Sequence, residues 1–252
     1  MEDALLNESA LHELLTALRS PLSATTSASR STTIETTTQE RETACVVCRL
    51  TTRSVIRWLR AFLDEYVNDP AIRETIRRAE GFCESHTRML AACGDSLAVA
   101  ILYGDLARLT VERWEKSAVG GGSGRRSGLM DRLRGGKSQS ERTRCPACVA
   151  HIEAQNRFVQ ALAAGMESEV SKEEIWQAVD ANAGICVPHI QQLMGEASPA
   201  MAKRLRDRET QRLTALQAEL AEIVRKNDYR FRGESWGAEK DAWRRALDKL
   251  RR

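Results

Sequence analysis

Aromatic residues are scarce in this chain. Phe, Tyr and Trp together make only 5% of its 252 residues, so any hydrophobic interior must be built from Leu, Ala, Val and Ile. A strong charge of one sign is also missing. The formal net charge is +3, which argues by itself for neither a nucleic-acid nor a membrane partner. Long apolar runs are absent. The longest uninterrupted one, Leu97 to Tyr103, falls far short of the roughly 20 residues that a membrane span needs. No useful stretch alternates apolar and polar residues in the manner of a strand. The start, Met1-Glu2-Asp3, lacks the basic residues and apolar stretch of a signal peptide, which leads to the expectation of a cytoplasmic protein with reduced thiols.

Cysteine, by contrast, is well supplied. There are seven Cys and four His, and most fall into one pattern that occurs twice. Cys45-Val-Val-Cys48 is followed by Cys83-Glu-Ser-His86, and Cys145-Pro-Ala-Cys148 is followed by Cys186-Val-Pro-His189. Gly81 and Gly184 each stand two residues before the second pair. Zinc prefers thiolate sulfur and imidazole nitrogen in a tetrahedron, and two cysteines separated by two residues reach one ion from a tight knuckle. The 34 residues between the two pairs in the first copy, and 37 in the second, are too many for a simple finger. They suit a helical hairpin that leaves the site and returns. The pattern predicts two structural zinc ions on Cys45, Cys48, Cys83, His86, Cys145, Cys148, Cys186 and His189. Pairing within each copy is the favoured arrangement. A crossed one, with the first knuckle and the second Cys-x-x-His sharing an ion, stays open. An iron–sulfur cluster with one His ligand ranks below zinc.

Around these motifs the fold reads as all-α, with internally duplicated, zinc-pinned helical repeats and a long C-terminal helix. Residues 1–19 form an amphipathic helix with Leu5, Leu11, Leu14, Leu15 and Leu18 at helical spacing, either loosely tethered or folded back on the body. Residues 20–43, rich in Ser and Thr, read as a disordered linker. Repeat one covers 44–117. Val55, Trp58, Leu59, Phe62 and Tyr66 mark its first helix, Asp69-Pro70 caps the second, and Cys83 opens a third that reaches about Trp114 with Leu90, Cys93, Leu97 and Ile101 on one face. Residues 118–144 are a Gly-rich linker with seven Lys/Arg against two Asp/Glu. Repeat two covers 145–197, with Ser171 and Glu174 placed as a capping box. Residues 198–252 hold the long helix from Ser198-Pro199 and a last short helix with Trp243.

The remaining chemistry-bearing residues read plainly. Cys93 and the anchors Trp58 and Trp176 are core positions, His12 is a solvated side chain, and His151 has a boundary role or hydrogen-bonds a ligand. A deaminase site needs His-x-Glu before Pro-Cys-x-x-Cys. Here His151-Ile-Glu153 follows the knuckle, so that reading is rejected. No phosphate loop, nucleophile elbow or carboxylate pair stands out. No catalytic residue is assigned, and the protein is expected not to be an enzyme. A site of three sulfurs and one nitrogen is full, which favours structural zinc over catalytic zinc.

The duplicated motifs resemble those of a bacterial family of uncharacterised proteins that carry Cys-x-x-Cys and Gly-x-Cys-x-x-His with long helical spacers. The ending Asn227-Asp-Tyr-Arg-Phe231, Trp236-Gly237 and Asp241-Ala-Trp243-Arg-Arg245 is similar as well, so the resemblance runs from about Cys45 to the C-terminus. It implies the fold and the metal and leaves the activity open. The expectation is a binding or scaffold module with a protein partner. The rivals are a thiol redox sensor and a nucleic-acid-binding regulator, the latter resting on fifteen Lys/Arg against nine Asp/Glu between 201 and 252.

Overall fold

The computed structural model describes residues 2–19, 45–119, 144–181, 184–231 and 233–251. The linker expected at 20–43 and nearly all of that at 118–144 lie outside the described residues. Among those residues the regular structure is entirely helical. In chain order it comprises α1 (Glu2–Arg19), α2 (Val46–Ala61) continued by a π-turn (Phe62–Tyr66), α3 (Pro70–Arg78), α4 (Glu84–Ala92) and α5 (Ser96–Val119), then α6 (Pro146–Glu167), α7 (Lys172–Ala181), α8 (Val187–Glu196), α9 (Pro199–Lys226) and α10 (Ala242–Leu250), with short 3-10 turns at Tyr229–Phe231 and Ala238–Asp241. No helix among the described residues is long and apolar enough to cross a membrane.

Two compact units divide the chain, and they do not coincide with the two sequence repeats. The first unit joins Met1–Thr52 to Ala154–Arg252; the second is Arg53–Glu153. Both cuts fall inside helices that start at a knuckle. α2 begins in the first unit and ends in the second, and α6 does the reverse.

In the second unit, Val55, Leu59, Phe62, Leu63, Ile76, Leu90 and Leu102 form the core. Trp58 packs against it, stacked on Phe62 at 5.6 Å with Phe82 edge-on to both. Aromatics are few, but three of them meet here. Asp69 caps α3 as expected: its carboxylate accepts from the backbone N–H of Ala71 and Ile72, and Pro70 holds the first helical position. The single helix expected from Cys83 to Trp114 is two. Gly94 takes φ +82, a left-handed conformation open to glycine, and Asp95 then accepts from the Ala98 N–H to start α5. The turn rotates Leu97 out of the expected stripe into solvent, 71% exposed. Cys93, at the break, is half-buried and donates to the Met89 carbonyl.

In the first unit, α1 is an integral part of the core. Ala10, Leu14, Ala17 and Leu18 are buried with Leu50, Phe158, Leu162, Ile175, Trp176, Ile190 and Leu193. Gly165 of α6 makes the approach close: a Cβ there would come within 2.7 Å of the Leu11 side chain and 2.5 Å of Ile175. Arg49 donates to the Ala17 carbonyl, and Arg19 pairs with Glu174. Glu174 therefore does not close the expected capping box, and the Ser171 hydroxyl donates to the Gly165 carbonyl instead. Trp176 is buried beneath the guanidinium groups of Arg204 and Arg208, 4.5 and 4.9 Å from its ring centre. Ser198 caps α9 by accepting from the Met201 N–H. At the C-terminus the buried Lys249 pairs with the buried Glu209 and donates to the Ile185 carbonyl at 2.6 Å. That bond ties α9 and α10 to the segment leading into Cys186.

Candidate metal centres

All eight sequence-predicted ligands come together, in two groups of four. One is Cys45, Cys48, Cys186 and His189; the other is Cys83, His86, Cys145 and Cys148. Within each group the ligand atoms lie within 4.8 Å of one another. The favoured pairing within each sequence copy is thus corrected: each knuckle closes with the Cys-x-x-His of the other copy. The first group lies wholly in the first unit and the second wholly in the second. The division of α2 and α6 between units explains this. Each knuckle sits at the N-terminus of a helix whose far end belongs to the other unit, so each unit receives one knuckle and the other copy's Cys-x-x-His.

The local backbone repeats at each motif. Cys83 and Cys186 are the cap residues of α4 and α8, with extended backbones, and Cys45 and Cys145 precede the first residues of α2 and α6. Gly81 and Gly184 both take the left-handed conformation, φ +98 and +84, and so turn the chain into each Cys-x-x-His. Every centre therefore lies where two helices begin. The partial positive charge of helix N-termini favours thiolate over thiol.

The spacings fit a tetrahedral ion. With metal–sulfur bonds of about 2.3 Å and metal–nitrogen bonds of about 2.0 Å, the edges of such a tetrahedron are about 3.8 Å between sulfurs and about 3.5 Å between sulfur and nitrogen. In the first centre Cys48 and Cys186 sulfurs are 3.7 Å apart, and His189 Nδ1 stands 3.5, 3.2 and 3.1 Å from Cys45, Cys48 and Cys186. In the second, Cys83 and Cys148 are 3.7 Å apart, and His86 Nδ1 is 3.2, 3.7 and 3.4 Å from Cys83, Cys145 and Cys148. A disulfide needs about 2.05 Å, and none of these cysteines is in one.

Electrostatics distinguishes the centres. In the first, hydrogen bonds from Cys45 and Cys48 hold the Cys186 thiol well below its ordinary range, while contacts with Cys186 and Cys45 push Cys48 up. Burial works to lower His189, but hydrogen bonds to Cys186 and Cys45 outweigh it and raise it to about 9. These are the marks of a crowded group that shares protons and negative charge. Arg251 answers that charge. Burial disfavours its guanidinium, but the facing Cys48, Cys186 and Cys45 sulfurs more than offset this. Its Nε and Nη2 are buried without a conventional hydrogen-bond partner. In the second centre burial pushes Cys148 up to about 12 and lowers His86, against whose ring the His151 ring lies edge-on at 6.0 Å. Cys83 is exposed there, whereas Cys45, Cys186 and His189 are all buried in the first centre. Sequence reasoning missed Arg251, because nothing in the spacing links position 251 to a knuckle 203 residues away at Cys48.

Three thiolates and a neutral imidazole around a divalent ion would leave a net charge of about −1, which Arg251 would offset at the first centre. Arg251→Ala is expected to lower metal affinity there by about tenfold, the scale for residues that support a ligand set from outside. The second centre should be unchanged. Competition with a chromophoric chelator measures both, and equal affinities in the variant and the parent would contradict the assignment.

A cavity of about 250 Å³ adjoins the first centre, lined by Cys45, Cys186, Ile185, Leu216 and the charged Arg212, Arg245 and Lys249. Those three cations are held by Asp180, Glu219 and Glu209.

The comparisons with known proteins name no activity. The "Uncharacterized 23.9 kDa protein in xynA 3'region" of Caldicellulosiruptor sp. (strain Rt8B.4) is 44% identical over 68 residues, which are 27% of this chain and 33% of that protein. The chain thus spans a third of that relative's length. No solved structure matches. A family model matches residues 4–101 and 79–252, so the match takes in most of α1, which the resemblance starting at Cys45 left out. The chain therefore belongs to the family of unknown function described as DUF6062.

Proposed function

We propose that the protein is a non-enzymatic helical module held together by two structural zinc ions, whose helical surfaces serve to bind another protein. The observation that carries this reading is the closure of both centres. Each has three sulfurs and one nitrogen at tetrahedral spacing, at the meeting of two helix starts, so a bound zinc has no ligand position left for substrate or water. Zinc supplies no reaction in such a site. The chain's own residues do the rest: the knuckles anchor α2 and α6, and the Gly-x-Cys turns aim α4 and α8 at them. Much of the basic charge of the C-terminal third is spent internally. Lys203 pairs with Asp207, Arg208 and Arg212 with Asp180, Arg225 with Glu222 and Glu234, and Lys226 with Glu239. That weighs against the nucleic-acid reading, since a phosphate-tracking helix needs free cations.

The test is elemental analysis of the purified protein, followed by timed exposure to a strong chelator. The expected result is two zinc ions per chain, lost in two phases, with the centre containing the exposed Cys83 emptied first. A folded protein without zinc sinks the reading. The exposure of Cys83, 3.7 Å from the Cys148 sulfur, favours oxidant sensing as a second reading. There two thiolates would reduce a peroxide to two hydroxides, join as a disulfide and release the ion. Zinc that survives mild peroxide removes it.

A further inference from the structure

The outer face of α5 has no partner among the described residues, and its composition is peculiar. Leu97, Ala100, Gly104, Ala107, Val111 and Trp114 are all exposed. They recur at intervals of three and four, the spacing of a helix–helix seam. Trp114 is 68%, Leu97 71% and Val111 50% exposed. No charge falls on the seam, and the positions along one flank, Ser96, Tyr103, Thr110 and Ser117, are uncharged as well. On the other flank, Arg108 is held between Asp105 and Glu112 of the same helix.

We infer that this face pairs with the same face of a second copy of the chain, the two α5 helices running antiparallel about a two-fold axis between Asp105 and Leu106. The order of side-chain sizes argues for this occupant. A helix turned end for end about that point sets Trp114 opposite Leu97, Val111 opposite Ala100, and Ala107 opposite Gly104. Each layer then matches large with smaller, and the smallest residues sit at the axis, where the two backbones come closest. The same sequence in parallel would stack Trp114 on Trp114 and leave Gly104 facing Gly104 across a gap. Gly104 gives independent support. A glycine inside a helix costs about 1 kcal/mol relative to alanine. Nothing among the described residues calls for it, since a Cβ there meets none of their atoms within 4 Å. Close approach of a second helix does call for it.

Area decides the strength. Eighteen residues of helix are about 27 Å long and the contact strip is roughly 10 Å wide. That is on the order of 300 Å² of footprint, well below the roughly 800 Å² per partner of a standard interface. The pair is therefore reversible and forms only at elevated concentration.

Sedimentation velocity of the full-length, metal-loaded protein tests this. From a few micromolar to several hundred micromolar, the mass should rise from 28.1 kDa toward twice that value, and Trp114 fluorescence should shift to the blue over the same range. Ala107→Glu places a charge and four extra heavy atoms at the axis on an exposed helical position. It should keep native helicity and abolish the rise. Lys116→Glu, off the seam, should leave the rise intact. A parent protein that stays at 28.1 kDa overturns the inference. A concentration-independent blue shift of Trp114 in such a monomer would assign the face to a segment of the same chain. An Ala107→Glu variant that associates as the parent does overturns the inference equally.

Discussion

Cys186→Ser is expected to unfold the first unit while the second keeps its structure, and Cys148→Ser is expected to do the opposite. Pairing within the sequence copies would send both substitutions to one place. The crossed pairing seen here separates them, because Cys186 shares its centre with Cys45 and Cys48, and Cys148 shares its centre with Cys83 and His86. The effect is large because binding energy at a structural zinc site, about 10–16 kcal/mol in small zinc domains, is folding energy. It rivals the whole stability of an ordinary domain, about 5–15 kcal/mol. Amide hydrogen exchange resolves the two units. Loss of protection in Ala154–Leu162 and Val187–Leu205 with Cys186→Ser, and in Leu59–Ile76 and Met89–Leu102 with Cys148→Ser, is the expected pattern. Native melting temperature in either variant would count against structural metal at that centre.

Lys249→Met carries the second large effect. Lys249 and Glu209 are both buried and are paired with each other. Arg212 also donates to Glu209, at 2.9 Å, so removing Lys249 takes away one of two cations from a buried carboxylate, which costs up to about 3–5 kcal/mol. Lys249 also holds the Ile185 carbonyl, one residue before a metal ligand, so the loss should extend to metal retention at the first centre. Thermal unfolding should drop by roughly 6–20 °C, taking about 2–4 °C per kcal/mol for a chain of this size. Adding Glu209→Gln should recover part of the loss, because it removes the buried carboxylate that only Arg212 would still face. A drop of under 2 °C for Lys249→Met alone would mean that water reaches the pair.

The eight clustered residues were legible because the chemistry they share is local. Two cysteines three positions apart, and a Cys and a His three apart, each fix half a tetrahedron within a single turn of chain. Which halves join was not legible, since both arrangements give each group three sulfurs and one nitrogen. The choice depends on where α2 and α6 end, which is a matter of tertiary packing. The cap was read correctly where one side chain decides it, as at Asp69. The reading failed at Ser171 because Glu174 found Arg19, a residue 155 positions away. The break at Gly94-Asp95 was present in the sequence as a glycine followed by a helix-starting Asp. The apolar residues on either side hid it by continuing the helical period. The docking of α1 rests on Gly165, whose missing side chain makes room for Leu11, and a small residue inside α6 carries no sign of what it faces.

The crossed closure also sets an order of events during synthesis. The second centre has all its ligands once residue 148 is made, whereas the first must wait for His189, 41 residues later. At about 5–20 residues per second the Cys45–Cys48 thiolates wait roughly 7–28 s for the Cys186 and His189 partners, whereas the second knuckle emerges after both of its own. Throughout that interval they stand open to any passing ion or oxidant, so a ribosome that stalls between the completion of the two centres holds out a reactive dithiol.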